Sequence, residues 1–383
     1  MPARPTERTY FDWNATAPLN KQAQDAVLGA LQLTGNPSSV HAEGRAVRRL
    51  VEEAREQVAA LVGAQASNVT FTSGATEANM LALTPAIEVG GRKEPRDRLF
   101  ISAIEHPSVR SGGRFAAGAI EELPVTSNGV VDLAALARAL GHAERPLVSV
   151  MLANNETGVI QPIANIAEIV HAASGILHVD AVQGPGRMDC NVATLGADLL
   201  SISSHKIGGP QGAGALILRK DVPFAPLYLG GEQEQGRRAG TENLAAIAGF
   251  GAAAEAVRPE VPASARLRDL FEARLKRTDP SSVIFGGKAE RLPNTSNFAL
   301  PGIAAETSLI ALDLDGVMMS SGAACSSGKV KPSHVLAAMG ISNDLARCAL
   351  RASFGRDSTE ADVDAAIGSI TNLLARVRSR AAA

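Results

Sequence analysis

Three cysteines in 383 residues, Cys190, Cys325 and Cys348, are too few for a disulfide framework. No CxxC or HExxH pair is present to suggest zinc, so the sequence predicts no metal site. The opening stretch from Met1 to Arg8 lacks the apolar core of a signal peptide, and no later run is long and apolar enough to span a bilayer. A cytoplasmic address with no membrane partner is the expectation. Lysine and arginine total 37 against 39 acidic residues, a net charge of -2, so the basic footprint of a nucleic-acid binder is missing too. There is no internal repeat, heptad run or low-complexity tail. Gly212-Ala213-Gly214 lacks the third glycine of a dinucleotide fingerprint, and Val330 follows Lys329 where a P-loop needs Ser or Thr.

What is present is a chain 45% hydrophobic, long enough for a large core and for two domains. Apolar runs such as 147–152 alternate with Ala-rich helical stretches such as 42–62, which predicts βαβ units, an α/β fold and a mostly parallel sheet. After Pro259-Glu260-Val261-Pro262 the pattern changes to a charged helix over 265–276 and strands near 282–285 and 295–299. The boundary expected there divides a large domain, 15–255, from a smaller one, 256–383.

Three segments carry chemistry. Ser201-Ile202-Ser203-Ser204-His205-Lys206 puts a lysine at the end of an apolar strand and before a glycine-rich turn. Such a lysine is held away from bulk water, which favours its neutral amine and Schiff-base chemistry. Leu177-His178-Val179-Asp180 ends a strand in a carboxylate, where open α/β sheets hold their ligands and where an acid can pair with a protonated pyridine nitrogen. The strand 69–72 leads through Ser73-Gly74-Ala75-Thr76-Glu77-Ala78-Asn79 into a helix expected to begin near Met80, a junction suited to phosphate. Each signal is common by itself; lysine, carboxylate and phosphate site in one chain point together to pyridoxal phosphate.

In this order the segments resemble the fold-type I pyridoxal phosphate enzymes of the class V aminotransferase group, and within it the cysteine desulfurases. Further stretches carry the resemblance across nearly the whole chain: Phe11-Asp12-Trp13-Asn14-Ala15-Thr16-Ala17-Pro18, Gly35 to His41, Glu105-His106-Pro107, Asn154-Asn155-Glu156-Thr157-Gly158, Arg238 to Asn243, Ser320 to Gly328 and Arg351 to Arg356. The resemblance places residues 1–14 with the small domain. It implies that His106 stacks on the cofactor ring and passes protons, and that Asn155 and Gln183 bond the edge bearing the ring hydroxyl. Ala75, Thr76, Ser203 and His205 then hold the phosphate, with Thr241 reaching across a homodimer interface to the neighbouring subunit's phosphate. Arg351 clamps the carboxylate of the substrate, helped by Asn14 and Asn155; a planar guanidinium suits that bidentate task. His41 lies in a family motif without an assignable chemical role.

Cys325 separates a desulfurase from an aminotransferase of the same fold. It lies in a flexible run of Ser, Gly and Ala with Lys329 and Lys331 nearby to favour the thiolate. Cys348, in an apolar run, reads as packing, and Cys190 as a loop cysteine without a catalytic partner. The resemblance implies that L-cysteine gives L-alanine and a persulfide on Cys325. The spacing from Cys325 to Arg351 resembles the long-loop group, which passes sulfur to scaffold proteins for iron–sulfur clusters or other thio-cofactors. The acceptor's identity, and the choice between nitrogen-fixation, housekeeping and tRNA-thiolation supply, are left open. Other readings are a selenocysteine lyase, another class V lyase or aminotransferase, and a catalytically silent scaffold. Retention of Lys206, Asp180, His106 and Cys325 together argues against the last. Met80 and Ala323 depart from the polar residues usual in the family, and Lys329 and Lys331 replace what are more often an apolar and an acidic residue.

Overall fold

The computed structural model describes residues 8–87, 95–219, 222, 226–257, 261–321 and 332–381. A seven-stranded sheet forms its centre, in the order Val69–Thr72, Gly214–Leu218, Leu199–Ser203, Ile176–Asp180, Pro146–Met151, Arg98–Ser102, Ile120–Leu123. Only Gly214–Leu218 runs antiparallel to its neighbours; the other pairings are parallel. The apolar runs read as strands are buried on both faces, as a parallel sheet between helices requires. Val148, Val150, Leu177, Val179, Leu200 and Ile202 all lie in its main core. Each fully buried side chain of this kind contributes about 1.5–3 kcal/mol.

A second core gathers Phe11, Leu267, Phe271, Phe298, Leu350 and Phe354. Its sheet is antiparallel, with Thr295–Ala299 between Ala349–Ser353 and Val283–Ile284. The first described residues join it: Thr9–Tyr10 pairs with Val317–Met318, and Ser353 N donates to Phe11 O at 2.8 Å. The chain then crosses to the large sheet through residues 12–16.

Two helices differ from expectation. The helix expected near Met80 starts at Ala75 and runs to Ala82. Glu77 accounts for this: its carboxylate reaches back to Ser73 N at 2.7 Å and to the Ser73 hydroxyl, so a side chain inside the first turn satisfies the residue preceding it. The charged helix spans Val261–Thr278, beginning earlier than the apolar pattern indicated. His41 caps the helix Ala42–Leu61, its Nδ1 accepting from Gly44 N at 3.2 Å, which gives that residue a structural role.

One turn is strained. Glu234 and Gln235 have φ of 49° and 60°, the left-handed region that costs residues bearing a Cβ about 1–3 kcal/mol each. The Glu234 side chain holds it. Its two oxygens accept from both terminal nitrogens of Arg55, at 2.6 and 2.9 Å, and one accepts from Phe71 N at 2.8 Å. Both charged side chains are buried, and the guanidinium lies 4.8 Å from the centre of the Phe71 ring. Glu234→Gln leaves the buried Arg55 charge with only the half-exposed Glu52 as counter-ion, at 3.3 Å, and is expected to cost about 3 kcal/mol in urea denaturation; a loss under 1 kcal/mol would mean the pair does not hold the turn.

Candidate active site

A cavity of about 960 Å³ opens beyond the carboxyl ends of the strands that finish in Met151, Asp180 and Ser203. Of the candidate residues, Lys206, Asp180, His106, Ala75, Thr76, Ser203, His205, Asn155, Gln183, Asn14 and Arg351 all line it. Thr241 does not; it stands exposed on the surface. Cys325, Ala323, Lys329 and Lys331 lie outside the described residues.

Lys206 ends a short 3-10 turn, Ser204–Lys206, directly after the strand Leu199–Ser203. Its Nζ donates to Asn14 O at 2.6 Å and to Ala15 O at 2.9 Å, so backbone dipoles hold the amine inside the cavity. Asp180, 5% exposed, accepts from Asn79 Nδ2 at 2.8 Å on one oxygen and from Val182 N at 3.1 Å on the other. Nothing in the sequence around Asn79 marks this role. Its partner is 101 residues away and leaves no local signature.

His106 caps the helix Pro107–Arg110 and lines the cavity as well. Nδ1 accepts from Ser108 N at 3.2 Å, so the ring proton of the neutral form sits on Nε2. Burial pushes its pKa down, the Lys206 charge acting the same way against Asp180, and the imidazole is neutral near pH 7. His205 is pushed down to about 4 by burial and by Lys206. Beneath Asp180, His178 sits between the hydroxyls of Ser149 and Ser201 at 2.8 and 2.9 Å, and burial pushes it down to about 4. Three imidazoles therefore add no positive charge around Asp180.

Arg351, on the strand Ala349–Ser353, donates from Nη1 to Asn155 O at 2.9 Å and from Nη2 to Asp12 Oδ1 at 2.6 Å. Asn154 shapes the turn behind Asn155, its Oδ1 accepting from Glu156 N and Thr157 N, both at 2.9 Å. Asn14 is turned inward: its amide meets Thr295 Oγ1 at 2.9 Å, Asn294 Nδ2 at 3.2 Å and Asn155 O at 3.2 Å. Gln183 is also engaged, donating to Asn14 O at 3.0 Å and accepting from Arg187. The remaining cysteines are both buried. Cys190 is a loop residue, yet it is packed in the main core, and burial pushes its thiol up to about 12. Cys348 is buried in an apolar cluster. Among the described residues no three His, Cys, Asp or Glu side chains group as a metal site would need, and no helix is long and apolar enough to cross a membrane.

The donor set fits a phosphorylated pyridine aldehyde. The first turn of the helix Ala75–Ala82 offers N–H groups without intrahelical partners. Gly214 lets the strand approach this turn, since a Cβ there would lie 2.6 Å from the Gly74 carbonyl carbon. Ser203 and His205 add hydroxyl and imidazole groups, Asp180 an oriented carboxylate, His106 a flat neutral ring and Lys206 an amine for the aldehyde.

Two buried groups behind the cavity give folding stability a pH dependence. Burial pushes the Glu105 carboxyl up to about 8, against the bond from Ser102 Oγ at 2.5 Å and with the Asp180 charge adding to the rise. The native state thus holds a proton that the unfolded chain releases above its ordinary 4.5, so stability from Glu105 is lost as pH rises from 4.5 towards 8. His178 works in the opposite sense: the unfolded chain gains a proton below 6.5 that the native state refuses, and stability is lost as pH falls towards 4. Urea denaturation across these windows should show Glu105→Gln flattening the fall between pH 4.5 and 8. An unchanged slope would show that Glu105 is ionised in the native state.

Comparison with known proteins agrees with this geometry. The class-V aminotransferase family model matches residues 9–366. The chain is 38% identical over 381 residues to the cysteine desulfurase IscS of Dictyoglomus turgidum, covering 97% of this chain and 95% of that one. Among solved structures, a NifS-like protein from Rickettsia africae superposes with a TM-score of 0.85 at 34% identity, over 96% of this chain and 99% of the other. SspA, solved in complex with cysteine, gives 0.79 at 29% identity, over 90% and 98%. Family model, full-length relatives and fold thus converge: the chain belongs to the class-V aminotransferases and, within them, to the cysteine desulfurases.

Proposed function

We propose that this site removes sulfur from L-cysteine, releasing L-alanine and leaving a persulfide on Cys325. The observation that carries the reading is the convergence of Lys206, Asp180, His106 and Arg351 on one cavity, in a chain of desulfurase descent. Enzymes of this family use pyridoxal phosphate, which supplies when bound an electron sink that acidifies the α-carbon of an attached amino acid. Asp180, oriented by Asn79 and Val182, would hold the pyridine nitrogen, and the turn at Ala75 and Thr76 with Ser203 and His205 the phosphate.

The chain's own groups then divide the work. Lys206 Nζ, freed from the carbonyls of Asn14 and Ala15, takes the α-proton. His106, neutral and protonated on Nε2, carries protons at the ring face. Arg351 orients the α-carboxylate. Asn155 and Gln183 would meet the ring hydroxyl edge once Gln183 exchanges its present partners. Cys325 attacks the substrate sulfur as a thiolate: an S–S bond forms, the C–S bond breaks, and the carbon keeps the electron pair and is protonated to give alanine.

A cytoplasmic homodimer is the working arrangement this reading requires. Thr241, exposed and outside its own cavity, would serve the phosphate site of the second copy. The persulfide would pass to an acceptor protein for iron–sulfur cluster or other thio-cofactor assembly. Product analysis tests the reading: wild type supplied with L-cysteine and a thiol should give alanine and sulfide in equal amounts, and Cys325→Ser should bind the cofactor with its normal absorption while alanine production collapses. Near wild-type alanine from Cys325→Ser would point to a lyase that needs no cysteine nucleophile.

A further inference from the structure

The Asp12 carboxylate is paired with Arg351, the guanidinium proposed above to orient the substrate carboxylate. Arg351 is 4% exposed and Asp12 24% exposed, their contact is 2.6 Å, and both line the same cavity. With Nη1 on Asn155 O and Nη2 on Asp12, the guanidinium offers an incoming anion little free edge. Its Nε is buried and has no partner among the described residues.

The backbones of Arg351 and Asp12 are each fixed without the contact between their side chains. The arginine backbone is fixed by its strand, with Asn297 opposite and Ser320 on the other side, where Arg351 N donates to Ser320 O at 2.6 Å. The backbone around Asp12 is fixed independently: Phe11 N donates to Met318 O at 2.9 Å, and the Tyr10 hydroxyl donates to Asp12 O at 3.1 Å. Among the described residues the Asp12 side chain has one hydrogen-bond partner, Arg351, through one oxygen. It can swing away without disturbing either strand.

We propose that Asp12 is a built-in occupant of the carboxylate site, paired with Arg351 in the free enzyme and displaced by the amino acid. The proposal rests on Arg351 being the substrate-carboxylate ligand. Displacement exchanges a single-oxygen contact for a two-oxygen one, which a guanidinium binds with better geometry. The cost of displacement falls on every carboxylate that binds there. A simple carboxylate has to displace Asp12 with its own binding energy alone, whereas an amino acid also attached at Lys206's end of the cavity meets Arg351 at high effective concentration. Between substrates, Asp12 keeps the buried guanidinium charge compensated. The fold-family motif around Asn14 thus contains a carboxylate that sets the threshold for entry.

Asp12→Asn, close in shape, tests this in the holoenzyme. The Michaelis constant for L-cysteine and the inhibition constant for propionate should both fall by about three- to tenfold, the range of a charge-assisted contact discounted for the partial exposure of Asp12. Propionate should also raise the melting temperature more in Asp12→Asn than in wild type, a readout that needs no turnover. Constants that rise or stay level, with no larger melting shift, would overturn the proposal and make Asp12 a support for Arg351. Arg351→Ala separates the two readings: a raised Michaelis constant there keeps Arg351 as the carboxylate ligand whatever Asp12 does, and in that background Asp12→Asn should have no effect. An Arg351→Ala variant with an unchanged Michaelis constant would remove the carboxylate site itself, and the Asp12 proposal with it.

Discussion

Asn14 is the residue through which the two cores share one cavity. Its backbone N–H donates to Ser353 Oγ at 3.0 Å and its amide reaches Asn294 and Thr295, all three on the side of the small sheet. Its carbonyl accepts from Lys206 and Gln183, both on the side of the large sheet, and its amide also meets Asn155. At 1% exposure Asn14 meets its hydrogen-bonding needs with protein partners rather than water, most of its groups with more than one. The cavity depends on that constraint. It keeps the amine of Lys206, the carboxylate of Asp180 and the guanidinium of Arg351 facing the same space although they come from separate sheets.

Electrostatics in that space follow from what burial neutralises. His106, His178 and His205 are all held below the ordinary histidine range, and Glu105 is held above the ordinary carboxyl range. The acidic and basic side chains that line the cavity are of both kinds: Lys206 and Arg351 on one hand, Asp180, Asp12 and Glu77 on the other, with Arg351 paired to Asp12 and Glu77 to Arg238. Such a site binds a zwitterion or a cofactor with both a cationic ring and an anionic phosphate without carrying a large net charge of its own.

The sequence made the sheet and its strand ends legible because buried parallel strands are continuous apolar runs, and a lysine or aspartate that ends such a run stands out. A strand at 295–299 was expected as well, although Thr-Ser-Asn-Phe-Ala is no apolar run and its sheet is antiparallel. The helix start at Ala75 was not, since Ala-Thr-Glu-Ala-Asn has no apolar period and its cap is made by Glu77 from inside the first turn. Long-range pairs left no trace at all. Asn79 with Asp180 and Asp12 with Arg351 join residues 101 and 339 positions apart, and motif resemblance names such residues without saying what they touch. Asn14 and Gln183 were legible as site residues, but not as residues whose side chains already bond to other parts of the protein.

In the proposed reaction, sulfur leaves L-cysteine on one side chain, Cys325. Mass spectrometry of the wild-type protein, treated with L-cysteine and digested without reductant, tests it most directly. The peptide containing Cys325 should gain one sulfur atom while those containing Cys190, whose thiol is buried and pushed up to about 12, and Cys348 remain unmodified. Extra sulfur on Cys190 or Cys348, or alanine formed with no sulfur retained on any cysteine, would contradict the account.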